Sequence, residues 1–453
     1  FLGFDHIDRR PRSFMGHYMT ASGLIMGVLL LGAARLVFEG PPRRPSRREV
    51  SLPRLALDGP ILAFVVWTLL SASFSPEPVV SHQSAKKLLL FVLLYVAVDT
   101  LADRDRRDGV LEGALLGGLA LAAGALLQYY FLGFDHIDRR PRSFMGHYMT
   151  ASGLLMGVLL LGAARLVFEG VPRRPRRDEL ALLGAVVGGM ALLGLLQRAD
   201  LFAVEGERIF VAAVAAMGAH QALVHGRQPP SRLLAAAAVV LSSWALVMTL
   251  TRNAWLGALA GLLVIGLMRT LRVLWIVAAA VAAVLVLQPP TVIARLTITD
   301  LSSRDRWFMW QAGIDMIADK PVFGQGPRMV EAVYPGYRWP GAPNPATPHL
   351  HNNVLQIAAE RGLPCLAFWL WWMASALADA YRELRRGGPG SWTAAAALAL
   401  LTALLAAGMF EYNFGDSEVL MFALLLTALP YALRRQRRTE REAVPLAPTV
   451  ALV

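Results

Sequence analysis

Cysteine is nearly absent. Cys365 is the only one among 453 residues, so neither an intramolecular disulfide nor a cysteine-ligated metal cluster can form. Charge is scarce as well: 17% of residues are charged against 56% hydrophobic, with a mean hydropathy of +0.48, which puts a soluble globular fold at a disadvantage. Acidic residues are the rarer sign, 32 Asp and Glu against 44 Lys and Arg, for a formal net charge of +12. The basic residues are scattered among short loops and form no single stripe, which argues against a nucleic-acid partner. The chain does not open on Met and shows no short cleavable signal pattern, so it reads as though an upstream piece were missing.

What fills the sequence instead is apolar runs long enough to cross roughly 30 Å of hydrocarbon. Thirteen fall near 14–38, 57–74, 85–102, 110–131, 147–168, 179–197, 208–224, 232–250, 254–268, 272–288, 363–381, 393–411 and 417–433. The expected fold is therefore all-α, a polytopic membrane protein with about 12–13 transmembrane helices. Alternate loops such as "VPRRPRRDE" and "YRELRRGG" are strongly basic, and such loops are held on the cytoplasmic side. Their expected partner is the anionic inner leaflet. The intervening loops, including "GFDHIDRRPRS", "LTRN", residues 289–350 and "EYNFGDSE", then face outward.

Residues 1–40 return at 131–170 with one change, Ile25 against Leu155. Two near-identical copies so far apart do not fit a stacked solenoid, whose repeats are tandem and diverged. We therefore assign chemistry only to the second copy. The expected organisation is an N-terminal span and basic loop at 1–56, a helical bundle at 57–288, a loop region at 289–353, C-terminal helices at 354–433 and a basic tail at 434–453.

The loop of residues 289–350 is the one long polar segment, and loops of that length in compact proteins are usually functional or disordered. Within it, Trp307, Trp310, Ile314 and Ile317 recur at helical spacing, with Ser302 and Asp305 as a capping start and Pro321 as a stop. That pattern predicts an amphipathic helix on the outer interface. Charged and imidazole side chains gather at the same outward rim: Arg142 and His147 in one loop, Arg252 in the short turn "LTRNAW", Arg304 and Arg306 opening the helix, and His349 and His351 at the loop's end. Arginine near hydrocarbon costs roughly 2.5 to 3.5 kcal/mol at mid-helix, so Arg252 either snorkels to headgroups or has a partner or function. Arg clusters without acidic partners suit phosphate. No Asp-x-Asp or His-x-x-x-His pattern occurs in the outward loops, so no metal and no cofactor is expected. His351 is the expected general base, because an imidazole's ordinary pKa of about 6.5 lies near working pH. Asn352 and Asn353 suit a helix N-cap that would place His351 at a helix mouth. "FGQGP" is expected to be a turn.

The order "TRNAWLGALAGLL", "RWFMWQAGIDMIADKPVFGQGP", "HLHNNVLQIAAERGL" resembles the O-antigen ligase and O-antigen polymerase superfamily of bacterial inner membranes, and "RPRSFMGHYMTASGLL" is similar to an earlier loop of that family. The resemblance spans about residues 57–433. It implies a metal-independent glycosyltransferase that moves a glycan from undecaprenyl diphosphate to an acceptor hydroxyl on the periplasmic side, most simply as O-antigen ligation to lipid A-core. Carried onto this sequence, it implies His351 as the base and Arg252 and Arg306 as diphosphate ligands. Arg142 and Arg304 are further candidates for the diphosphate, and His147, His349, Asn352 and Tyr334 for contacts with donor or acceptor. Asn253 departs from the Gly that many members carry at that place. A polysaccharide polymerase or a protein O-oligosaccharyltransferase of the same superfamily would share this chemistry. A lipid or sugar transporter is the alternative of a different class. Transporters usually carry ionisable groups at mid-membrane, whereas here the spans are mostly Ala, Leu, Val and Gly, with Glu360 and Arg361 expected on a surface turn ahead of the span at 363.

Overall fold

The computed structural model describes residues 55–170, 232–287, 292, 293, 295 and 301–443. The sequence-predicted spans at 14–38, 179–197 and 208–224 lie outside the described residues. The elements named among the described residues are all helices, with no named strand. In chain order they form α1 (Asp58–Ser73), α2 (Pro78–Ala85), a 3-10 turn (Lys86–Phe91), α3 (Val92–Thr100), α4 (Arg104–Phe131), α5 (Tyr148–Glu169), α6 (Arg232–Met248) and α7 (Arg252–Arg269). There follow α8 (Arg272–Leu287), α9 (Leu301–Asp319), α10 (Val330–Tyr337), α11 (Asn353–Arg386), α12 (Ser391–Gly408) and α13 (Ser417–Ala443). Six helical stretches among the described residues are long and apolar enough to cross a membrane. The protein is an all-α polytopic membrane protein.

Apolar side chains gain nothing from burial against each other in lipid, so helix association there depends on close packing, which small residues permit. The bundle follows that rule. Gly257 and Gly261 of α7, four residues apart, bring its backbone against Met156 and Leu160 of α5 and against the carbonyls of Ala403 and Ala399 on α12. The alanine-rich α12 is the packing centre, buried from Trp392 to Leu401.

Helix α11 is broken where the sequence demands it. Pro364 has no N–H to give the Glu360 carbonyl, and Gly362 adopts φ +81°, which frees the Ala359 carbonyl as well. Each orphan carbonyl in an apolar setting costs several kcal/mol, and the segment after α9 satisfies them. Gln325 N–H donates to the Ala359 carbonyl and Gly326 N–H to that of Glu360, both at 2.8 Å, and Leu363 N–H donates back to the Pro321 carbonyl at 2.8 Å. Ser71 Oγ of α1 donates to the Phe323 carbonyl at 2.6 Å and that of Glu360 at 3.1 Å. Thus "FGQGP" is a backbone clamp on a broken helix. Glu360, expected on a surface turn, is instead buried at 3% exposure, its Oε1 accepting from Arg328 N–H and Gln356 Nε2 at 2.8 Å each. The reason is that the helical turns ahead of the break at Gly362 are covered by the 321–328 segment, whose Arg328 amide reaches the Glu360 carboxylate.

Helix α9 forms where the apolar spacing predicts it. Its buried stripe is Met309, Ala312 and Met316, packed with Val330, Tyr334, Leu350 and Ala359, and Trp310 and Ile317 lie at the edge of this cluster. Trp307 and Ile314 are 58% and 50% exposed. The helix packs first on its own loop's small core, and the slim Met and Ala side chains fit that seam better than the bulkier Trp307.

At the opposite end of the bundle the basic residues are held by buried acids. Arg434 of α13 donates to both Asp379 and Glu383 of α11 at 3.0 and 3.1 Å, and Tyr431 Oη donates to Asp379 at 2.7 Å. This lock carries α13 past the expected span end at 433, through to Ala443.

Candidate functional site

The remaining end of the bundle collects the motifs. Asn352 caps α11: its Oδ1 accepts from Leu355 N–H at 3.0 Å, and its Nδ2 donates to the Met409 carbonyl at 3.0 Å. Asn353 donates to Asn413 Oδ1 at 2.7 Å and accepts from Phe414 N–H at 3.2 Å. The asparagines therefore tie the turn after α12 to the start of α11. Glu411 lies in that turn, and His351 precedes the cap with φ +49°. A left-handed backbone at a residue with a Cβ costs of order 1–3 kcal/mol. Among the described residues the other non-glycine positions with positive φ are Ser143, Leu250 and Arg328, each within two residues of Arg142, of Arg252 or of "FGQGP". Strain thus collects in the loops that carry the motifs.

The centre is a buried carboxylate between two imidazoles. Glu411, 5% exposed, has its Oε2 2.8 Å from His351 Nδ1 and 4.0 Å from Arg306 Nη2, and its Oε1 3.7 Å from His349 Nδ1. The two imidazole rings meet edge to face, 4.2 Å between centroids. Trp310 Nε1 of α9 donates to the Leu350 carbonyl at 3.1 Å, and Leu350 N–H donates to Gln356 Oε1 at 2.7 Å, which fixes the "HLH" segment between α9 and α11.

Burial alone would push the Glu411 carboxyl up, but the His351 hydrogen bond and the neighbouring His351, His349 and Arg306 charges hold it down at about 2. It is therefore ionised and has no proton to give, so the proton of the 2.8 Å contact is carried by His351 Nδ1, which in the neutral imidazole makes Nε2 the accepting nitrogen. His349 is lowered to about 4, chiefly by burial, with His351, His147 and Arg306 adding to it against the pull of Glu411. His349 is thus neutral at physiological pH.

Of the sequence candidates, this cluster brings together His349, His351 and Arg306, with His147 near enough for its charge to act on His349. His147 caps α5 through Nδ1, which accepts from Met149 N–H at 3.2 Å. Arg252, the first residue of α7, donates to Ser303 Oγ at 3.0 Å, one turn of α9 before Arg306. Arg306 itself keeps a buried Nε with no hydrogen-bond partner. Arg304 lies over the Phe308 ring at 5.9 Å, and Arg142 donates to the Gly146 carbonyl at 3.3 Å. Asn352 is 4% exposed and committed to its cap, and Tyr334 is fully buried in the core beneath α9.

Sequence reasoning missed Glu411, 60 residues after His351 and in no spaced motif. The signal that could have found it is an acid abutting an apolar run, a place where a lone carboxylate is costly. It also missed Arg295, 5% exposed, whose Nε donates to the strained Leu250 carbonyl at 3.1 Å and so braces the turn that presents Arg252.

Residues 237–370 match the family model described as O-Antigen ligase, a stretch that holds Arg252, Arg306, His349 and His351. That match supports the chain's membership of the O-antigen ligase superfamily. No curated protein sequence matches it. The matched family is one of glycosyl transfer of the ligase and polymerase kind, and the match supports an enzyme of this kind, with lipid-linked glycans as the general substrate class. The matched stretch ends before Glu411, and it begins after Arg142 and His147.

Three donor groups could hold a metal ion. His349, His351 and Glu411 each offer one ligand atom, all within 4.8 Å of one another.

Proposed function

We propose that the chain is an O-antigen ligase of the bacterial inner membrane, moving a glycan from undecaprenyl diphosphate onto a hydroxyl of lipid A-core at the periplasmic face, without a metal. The acceptor oxygen bonds to the anomeric carbon, the bond from that carbon to the diphosphate breaks, and the acceptor's proton passes to His351 Nε2. Undecaprenyl diphosphate leaves with the bonding electrons, its growing negative charge met by Arg306 and Arg252, with Arg142 and Arg304 at the approach. Preorganised cations of this kind stabilise the transition state without reorganising.

One observation carries the reading. His351 is fixed through Nδ1 by an ionised buried carboxylate, and beside it Arg306 has an unpartnered buried donor. A base held in one tautomer next to an unsatisfied guanidinium suits the two demands of glycosyl transfer from a diphosphate, proton removal and leaving-group stabilisation.

The test is transfer from a purified lipid-diphosphate glycan to lipid A-core in vesicles with a chelator present. His351→Ala is expected to lose about 10² to 10⁴ in rate while still inserted and folded. Arg252→Lys is expected to be impaired, since an ammonium cannot reproduce the guanidinium fork. Full activity in the first variant would overturn the base, and unchanged donor binding and turnover in the second would overturn the phosphate role. A ladder of extended glycans in place of capped core would redirect the reading to a polymerase.

A further inference from the structure

The cluster that positions His351 has a second capacity. Two imidazoles and a carboxylate form a donor set that zinc accepts, with three protein ligands and one open position. Ligand distances of about 2.0 to 2.2 Å in a tetrahedron put ligand atoms roughly 3.3 Å apart. The two imidazoles lie 2.8 and 3.7 Å from the two different Glu411 oxygens, Oε2 and Oε1, values that bracket that spacing, and one ligand atom from each residue can be chosen so that all three lie within 4.8 Å of one another. Closing the set therefore needs small side-chain rotations and no backbone movement.

An independent observation points to a ligand. His349 Nδ1 is buried and has no hydrogen-bond partner, yet it lies 3.7 Å from a carboxylate oxygen. A buried polar atom left unsatisfied is costly, and a cation between that nitrogen and Glu411 would satisfy it, sharing the Oε1 that also accepts from Tyr412 N–H at 3.0 Å. The Arg306 guanidinium, 4.0 Å from the same carboxylate, opposes a dication, so the site is expected to bind more weakly than a closed structural zinc site.

We propose that His349, His351 and Glu411 form a binding site for a transition-metal dication of the Zn²⁺ class, and that occupancy shuts the enzyme off. The metal takes the Nδ1 lone pair of His351, so the ring's one proton moves from Nδ1 to Nε2. That is the nitrogen needed to accept the acceptor's proton, so a metal-bound His351 cannot act as base. No net proton is released, and nothing is oxidised or reduced. The inhibitory half rests on His351 as the base; the binding half does not.

The two halves are tested separately. Zn²⁺ alone is titrated into purified, tag-free protein in competition with a chromophoric chelator, and Co²⁺ is followed by its visible absorption. One ion per chain is expected. His349→Ala and Glu411→Gln should each weaken it by at least about tenfold, while His82→Ala, altering an exposed histidine that contacts the Pro78 carbonyl, should bind as wild type. Circular dichroism and thermal melting establish that the variants are folded. Unchanged affinity in folded His349→Ala, or no binding by wild type, overturns the site. Transfer should fall with the bound fraction and return on adding a chelator. Metal binding that leaves transfer undiminished keeps the site and overturns its inhibitory role.

Discussion

Glu411→Gln isolates what the buried carboxylate contributes to His351. The substitution keeps the shape and removes one negative charge and an acceptor from the 2.8 Å contact. A hydrogen bond to a charged group contributes about 1.5 to 3 kcal/mol. In the proposed transfer step the imidazole gains a proton, so the pairing is stronger in the transition state than in the ground state and its loss falls on kcat. At about 1.4 kcal/mol per decade, kcat should drop roughly 10- to 200-fold. The donor's KM should not rise, because Arg306, 4.0 Å from the same oxygen, loses its acidic neighbour and becomes a better diphosphate ligand. The assay is steady-state transfer in vesicles with a chelator present, varying the donor at saturating acceptor. A merely structural Glu411 would lower kcat by lowering the active fraction, so an active-site titration or melting curve is run beside it. A kcat within twofold of wild type in folded protein would refute the reasoning, as would a loss confined to KM.

Two further outcomes follow from the same geometry. The folded-state pKa of His349 is lowered from 6.5 to about 4 and that of Glu411 from 4.5 to about 2. In both cases the unfolded chain binds the proton more readily, so stability is present above the unfolded value and is lost as pH falls, first between about 6.5 and 4 and then between about 4.5 and 2. A shift of this size is worth about 3 kcal/mol, and melting curves in detergent with chelator should show His349→Gln flattening the upper window and weakening the lower one in part, since the His349 charge helps hold Glu411 down; an unchanged profile would count against the buried neutral imidazole. Gly362→Ala should destabilise the protein by about 1 to 3 kcal/mol, since φ is +81° and an added methyl would meet the Val322 carbonyl, and limited proteolysis should then cut within 321–328; a variant that melts like wild type would contradict the clamp.

Much of the bundle was legible in the sequence because hydrocarbon leaves the backbone few choices: runs such as 147–168 and 393–411 became α5 and α12 within a few residues. Asn352 was legible as a cap from its residue type and position. The break in α11 was less so. Pro364 was visible, but a reader of hydropathy starts the span at 363, since nothing local says that Glu360 will find Gln356 and the Arg328 amide in the interior. For α9, periodicity gave the helix, and Trp307 and Ile314 lie on its exposed side; the opposite seam, filled by Met309, Ala312 and Met316, was not singled out by that spacing. Tyr334 looked available in a polar loop and is enclosed by that same core. Glu411 is the clearest case. Its significance comes from a turn between two distant helices, held in place by Asn353 and Asn413, and sequence spacing has no access to such a meeting.

The clamp between 321–328 and the interrupted helix bears on how the enzyme could be re-engineered. An exchange of the loop alone between relatives would put at risk the Gln325 and Gly326 amide bonds to the carbonyls of Ala359 and Glu360 and the Ser71 Oγ bond to the Phe323 carbonyl, leaving that hydroxyl only Glu360. A workable chimaera therefore has to transplant the loop, the first turns of α11 as far as Pro364, and the matching turn of α1 as one unit. The cut points belong in the middle of the spans, away from the polar seam.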